Sequence, residues 1–406
     1  MENTGPTPKV PKEFVLLMAY LTSLMAFSID AILPALEQIG IDLGFKNTND
    51  TQYIISIIFL GFGFGLFLFG PLSDAFGRKK PIYIGAIIFI IGCLTSYFAE
   101  NLEVMLLGRF FQGLGASSFR IISIAIVRDK YNGATMARIT SLIMTFFILV
   151  PVMAPSIGQI VLNYASWKAI ILLFLGICFT STTWFALRQE ETLTPEKRKE
   201  INLKHILRAS IETLTTPLSL ISIIISGLIF GGFIAYLSSS QIIFQKIYLQ
   251  KDNFPLLFGG LAFTVGVSSL INSFLVQKFG LIKLVNFALK LMVISLLPIS
   301  LYFTFSNQEP ALIFFYITFA FLFFLVGLLF GNLNALAMAP LGHIAGVASS
   351  VIGAVQNMIS VLISVIIISQ ITTSTFPLVI GFLLVSSISA LTLNLSLKYK
   401  YLLDDI

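Results

Sequence analysis

Three charged side chains stand deep inside long apolar runs of this sequence: Asp30, Arg109 and Arg120. Ionisable groups at such depth are costly and mark sites where protons, ions or polar solutes are handled. Helix geometry tests whether they can meet. If the first run leads outward and the fourth returns, Asp30 and Arg109 each lie about six or seven residues from the outer boundary, roughly 10 Å at about 1.5 Å per residue. Arg120 comes about three turns after Arg109, on nearly the same face and some 16 Å further in, so both arginines would line one cavity wall. Two readings stay open for the first pair. One is a static Asp30–Arg109 ion pair that fixes helix packing. The other is an Asp30 carboxyl that gains and loses a proton under the influence of Arg109, so that substrate and proton compete.

Softer candidates surround them. Phe27, Tyr53, Phe147, Tyr236 and Gln356 would line a central cavity suited to aromatic ligands with polar tips, although aromatics on such helices serve packing or face lipid as readily. Asn332 and Asn334 are intrahelical amides that either bond across helices or touch ligand. Cys93 and Cys178 fall within apolar runs as small packing residues, and His205 and His343 lie in polar connections. No spacing groups His, Cys and carboxylates, so no metal, cofactor or catalytic residue is expected.

The elements that must position these residues follow from composition. Of 406 residues, 57% are hydrophobic and 11% charged, against about 25% charged in a soluble domain. The apolar runs are roughly 17 to 25 residues long, enough to cross a hydrocarbon core about 30 Å thick as helices, and alternating ten-residue strands of a barrel are absent. The expected fold is an all-α membrane protein with spans at 14–36, 51–73, 82–99, 102–127, 135–163, 166–187, 217–242, 253–276, 284–304, 309–335, 345–369 and 374–397. The first run resembles a signal peptide in length only: it has no small-residue cleavage site, and it contains Asp30 and Pro34.

Between the sixth and seventh spans lies a long polar stretch, 188–216, read as a cytoplasmic linker with a surface helix near 200–213. It separates a bundle over 1–187 from one over 217–406. Of the 25 Lys and Arg, Arg109 and Arg120 lie deep within spans, four (Lys46, Lys168, Lys246 and Lys251) fall in or beside the outer segments, and the other nineteen fall in or beside the inner ones. That bias predicts both termini in the cytoplasm, and it accounts for the net charge of +6 without a nucleic-acid partner. A faint repeat supports duplication: GPLSDAFGRKK is echoed by NSFLVQKFGLIK, with Phe76-Gly77 matching Phe279-Gly280. At the same offset Asp30 falls on Phe233, so the second half supplies no matching acid.

GPLSDAFGRKK, with Gly70, Asp74, Gly77 and Arg78, resembles the loop motif between the second and third helices of the major facilitator superfamily. RFFQGLGASS (109–118) and PVMAPSIG (151–158, with Pro151, Pro155 and Gly158) resemble its Arg-Gln-Gly and antiporter motifs. SIDAILPAL, AIVRDKY, ETLTPEKR and AMAPLGHIAGVASSVIGAVQN are similar to the Bcr/CflA branch of drug:proton antiporters. The resemblance covers the whole chain. It implies two pseudo-symmetric six-helix bundles in a bacterial inner membrane, a monomer, and alternating access about a midplane site. The function implied is proton-driven export of small amphipathic molecules such as antibiotics or an endogenous metabolite or siderophore; proton-symport uptake of an organic solute is the alternative. Asp30 and Arg109 correspond to the family's coupling and substrate-binding residues. Asp74 is expected to accept from a helix amino terminus and to face Gly346–Ser349, and Arg78 to reach Asp129, as a latch of the outward-facing state. With two arginines against one acid in the spans, neutral, zwitterionic or carboxylate-bearing substrates are expected over dications.

Overall fold

The computed structural model describes residues 10–398 except 46, 48, 199–201 and 307. Among the described residues it is helical throughout, without strands. The first span is α1 (Lys12–Asp30), a 3-10 turn at Leu33–Ala35 and α2 (Leu36–Asp42). Pro34 sits in the first positions of the turn, where its missing N–H costs nothing, and the chain continues to Asp42 instead of stopping near 36. Then come α3 (Asp50–Phe76), α4 (Lys79–Tyr97), α5 (Leu102–Lys130), α6 (Gly133–Tyr164) and α7 (Trp167–Arg188). A short helix, α8 (Leu203–Thr215), precedes α9 (Pro217–Gln241), α10 (Phe254–Phe279), α11 (Leu281–Ser306), α12 (Leu312–Met338), α13 (Ala345–Ile368) and α14 (Phe376–Lys398).

Eleven helical segments are long and apolar enough to span, and one of them, Leu312–Ile368, runs for 57 residues. It breaks at Ala339–Ile344, where Pro340 ends α12 and Leu341 leaves helical geometry, so it crosses twice and the spans number twelve. The repeat seen in the sequence has a geometric counterpart. Gly77 ends α3 at φ 90° and Gly280 ends α10 at φ 76°, left-handed conformations that glycine adopts without a Cβ penalty. Helix α9 is prolonged by a π-helical turn, Ile242–Ile247, which carries the seventh span beyond 242.

Helices α1 and α3 to α7 pack on one another, as do α9 to α14. The two halves meet along α3 with α13 and α6 with α10, with α9 also touching α3 and the turn after α1. Asp30 therefore ends its helix where the second half begins.

Candidate functional site

Arg109 is wholly buried in α5 and gathers three helices of the first half. Its guanidinium donates to the Ser28 carbonyl at 2.8 Å, the Ile54 carbonyl at 3.3 Å and Gln112 Oε1 at 2.6 Å. Gln112 passes the contact on, donating to Ser96 Oγ and the Gly92 carbonyl in α4. The static Asp30–Arg109 ion pair, one of the two readings left open by the sequence, is not formed among the described residues. Among the described residues the Asp30 carboxylate, in a residue only 3% exposed, makes neither a hydrogen bond nor an ion pair. Arg109 instead grips the backbone two residues earlier, and two residues are about 200° of helix rotation.

The other half holds a buried polar group of its own. Tyr236 of α9, 2% exposed, carries its hydroxyl into the aromatic core of that half. That hydroxyl is buried without a hydrogen-bond partner, while its ring packs edge-on against Phe323 at 4.6 Å and stacks on Phe258 at 5.9 Å. Each half thus buries at least one polar group without a partner among the described residues. Gly158 of α6 packs directly against the Ala31 carbonyl, immediately after Asp30; any Cβ there would overlap that backbone. Pro151 and Pro155 lie inside the same helix, and the Val152 carbonyl lies against Gly259 of α10. The PVMAPSIG segment therefore touches both the end of α1 and the opposite half.

The remaining sequence candidates scatter. Phe27 packs edge-on against Phe174 of α7 at 6.1 Å, inside the first half. Tyr53 is half-buried in α3, and Gln356 is half-buried in α13 with its carbonyl taken by Ser360 Oγ at 2.7 Å. Asn332 is occupied by Asn272 of α10 through reciprocal amide bonds of 2.8 and 3.1 Å, and Asn334 is exposed. Arg120 is half-buried along α5, and the side chain of Phe147 lies outside the described residues.

At one end of the molecule Arg78, 3% exposed, collects a second set of partners. It donates to Asp74 at 2.7 Å, to Ser73 Oγ at 2.8 Å and to both oxygens of Asp129 at 2.8 and 3.2 Å. Burial pulls the Arg78 pKa down, but Asp129 and Asp74 outweigh it and hold it above the ordinary arginine value. Among the described residues Asp74 accepts from no helix amino terminus. The amino terminus of α4 is capped by Glu191, which accepts the N–H groups of Arg78 at 2.9 Å and Lys79 at 3.1 Å. Burial pushes the Glu191 carboxyl up, yet these and two further backbone donors, Leu193 and Thr192, hold it below the usual glutamate range. The other Asp74 oxygen lies against Gly346 in the first turn of α13, 3.4 Å from where a Cβ would be, and Gly70 abuts Ser350.

The Major Facilitator Superfamily family model matches residues 16–365. The chain belongs to that superfamily. It is a multi-pass membrane transporter of small molecules and not an enzyme. Relatives of this facilitator include an uncharacterized MFS-type transporter, YdgK, of Bacillus subtilis, 29% identical with 89% of each chain covered. A bicyclomycin resistance protein homolog of Haemophilus influenzae is 27% identical over 70% of this chain and 71% of that one. The multidrug resistance protein MdtL of Escherichia coli O157:H7 is 26% identical, with 94% of each covered. The crystal structure of a D-xylose-proton symporter superposes with a TM-score of 0.73 at 14% identity, covering 94% of this facilitator and 96% of that chain, a likeness of fold.

Sequence reasoning missed the facilitator's inter-half contacts at the end opposite Arg78. Glu37 of α2 pairs with Lys246 at 3.3 Å and Lys251 at 4.0 Å. Ser56 lies 3.2 Å from Ser238 and 3.3 Å from Ser364, and Gln52 donates to the Ile371 carbonyl at 3.3 Å. Among the described residues, only these ion pairs join the two halves. The available signal was weak: Lys246 and Lys251 are cations in a segment otherwise poor in them.

Proposed function

We propose that this facilitator exports small amphipathic molecules in exchange for protons, with Asp30 as the proton carrier. The observation that carries the reading is the Asp30 carboxyl, buried at the end of α1 beside the junction of the halves with no hydrogen-bond or ion-pair partner among the described residues. An ionised carboxylate left alone in such surroundings costs several kcal/mol, so it either takes a proton or finds a hydrogen-bonding ligand. Proton and substrate are then alternatives at one atom, the condition for exchange. Relatives named for bicyclomycin and multidrug resistance support the outward direction and the drug-like substrate class.

Arg109 acts as a positioning residue in this scheme. Its donors are spent on neutral oxygens, so it fixes the end of α1 and leaves net positive charge in the first half, which favours neutral, zwitterionic or carboxylate-bearing substrates over dications. We assign the Glu37 end to the outside, closed by Glu37–Lys246 and the Ser56 contacts, and the Arg78 end to the cytoplasm, in keeping with the bias of Lys and Arg. Opening outward would break Glu37–Lys246 while Asp74 and Arg78 hold α3 to the start of α13. The test is flux in proteoliposomes under an imposed pH gradient, with chloramphenicol, a fluoroquinolone and ethidium as probes. Uphill export by the wild type should vanish in Asp30→Asn while equilibrium exchange persists. Uphill export by the variant would sink the proposal.

A further inference from the structure

Helix α8, in the connection between the halves, presents three different sides. Ala209 and Thr213 are buried where it packs on α9 and α13, and Glu212 pairs with His343, Oε1 to Nε2 at 2.6 Å, at the break between α12 and α13. Leu203, Leu207 and Ile211 recur every fourth residue on a second side and are 75, 62 and 53% exposed. Lys204 and Arg208 edge that stripe on one side, and neither makes an ion pair among the described residues. The helix starts with an Asn202 cap, and α9 begins at Pro217, immediately after Thr216. The C-terminal end of α8 is therefore tied to the level where α9 starts.

We infer that α8 is a membrane-surface element: Leu203, Leu207 and Ile211 insert into the headgroup boundary of the leaflet on the Arg78 side, and Lys204 and Arg208 bind the phosphates of anionic lipids. An apolar stripe edged by cations on a helix of low overall hydrophobicity is the pattern that lies in an interface instead of crossing it. Here the flanking charges choose the leaflet chemistry, because long basic side chains reach up to phosphate while their stems cover the apolar stripe. This goes beyond transport, and it stands whichever way substrate moves.

Full-length Leu207→Cys protein, labelled with an environment-sensitive fluorophore, tests it in nanodiscs of phosphatidylcholine alone or mixed with phosphatidylglycerol. The native Cys93 and Cys178 are buried, which leaves position 207 as the labelling site. Spin-labelled lipid should quench the fluorophore and iodide should not, and phosphatidylglycerol should sharpen that contrast. Lys204→Gln and Arg208→Gln, on exposed positions that do not threaten folding, should each lower the anionic-lipid advantage on the order of fivefold. Free quenching by iodide in both lipids would overturn the inference. So would equal lipid quenching in the two compositions, or protection that appears only when soluble protein is added.

Discussion

The two halves share one plan and differ in what fills it. In the first, polar groups run through the spans: Arg109 ties α1, α3 and α5 together, Gln112 extends the tie to α4, and Asp30 ends α1 at the junction. In the second, carboxylates occur only outside the spans, at Asp252, Glu309, Asp404 and Asp405, and the spans are filled with rings. Tyr236, Phe319, Phe323 and Phe382 form a continuous cluster, with Phe315 stacked on Phe319 at 4.2 Å. Such pairs contribute about 0.5–1.5 kcal/mol each beyond area and hold their geometry rigidly. One half holds charge that can change; the other supplies a wall that does not. Exchange needs both, because a titrating group moves a packed interface only if the opposite face does not yield.

The comparison breaks most severely if charge is moved across the interface. Phe233 packs on Phe230, Phe323 and Phe330 at 6.0, 5.3 and 5.7 Å, and it is the counterpart of Asp30 by the repeat. Phe233→Asp should cost about 3 kcal/mol or more and be lost from the membrane fraction. Asp30→Asn should raise the melting temperature or leave it unchanged, since it removes an unpartnered buried carboxyl. Size-exclusion profiles and thermal melts of the two variants in one detergent check the contrast; equal tolerance would mean that the halves are not specialised in this way.

Removing the organiser of the charged half comes next. Arg109→Ala leaves three buried oxygens short of a donor, on the order of 1–3 kcal/mol for each one that finds no substitute. Arg109→Lys keeps the charge but loses the planar fork, so it should recover only part of that stability. Full recovery by Lys would show that charge and not geometry matters at the position.

A smaller effect separates the Arg78 network from the core. Glu191 is held below the ordinary glutamate range, so the stability it contributes is fully present above its unfolded pKa, about 4.3. It fades as pH falls through the lower folded value. The melting-temperature gap between wild type and Glu191→Gln should therefore be constant from pH 8 to about 6 and close below about 4. A gap that widened on acidification would contradict the assignment of Glu191 as the cap of α4.

How much of this was legible beforehand depended on the range of the signal. Spans were readable because about twenty apolar residues in a row have few other uses, and the Phe-Gly echo became two matching left-handed glycines. Depth was readable too, since rise per residue is fixed. Azimuth was not: Asp30 and Arg109 share a level, but which side of α1 each faces depends on packing among α1, α3 and α5. The same limit hid Glu191, whose role as a cap arises only when the segment after α7 folds back onto α4, and Glu37–Lys246, whose partners sit on different halves without a shared pattern.

The finest test removes one atom from the aromatic wall of the second half. Tyr236 offers a hydroxyl that is buried and makes no hydrogen bond, so Tyr236→Phe leaves no partner unpaired and keeps the stacking on Phe258 and the edge contact with Phe323. Stability should move by less than about 0.5 kcal/mol, in either direction. If the hydroxyl exists to meet a ligand lodged beside Asp30, affinity for that ligand should fall on the order of threefold to tenfold, the net worth of one neutral hydrogen bond. Isothermal titration with whichever probe the wild type exports separates the possibilities. A drop in affinity at unchanged melting temperature assigns the hydroxyl to recognition. Unchanged affinity with a higher melting temperature would mean that the aromatic wall acts by its rings alone, and that the polar contribution at the junction comes only from the first half.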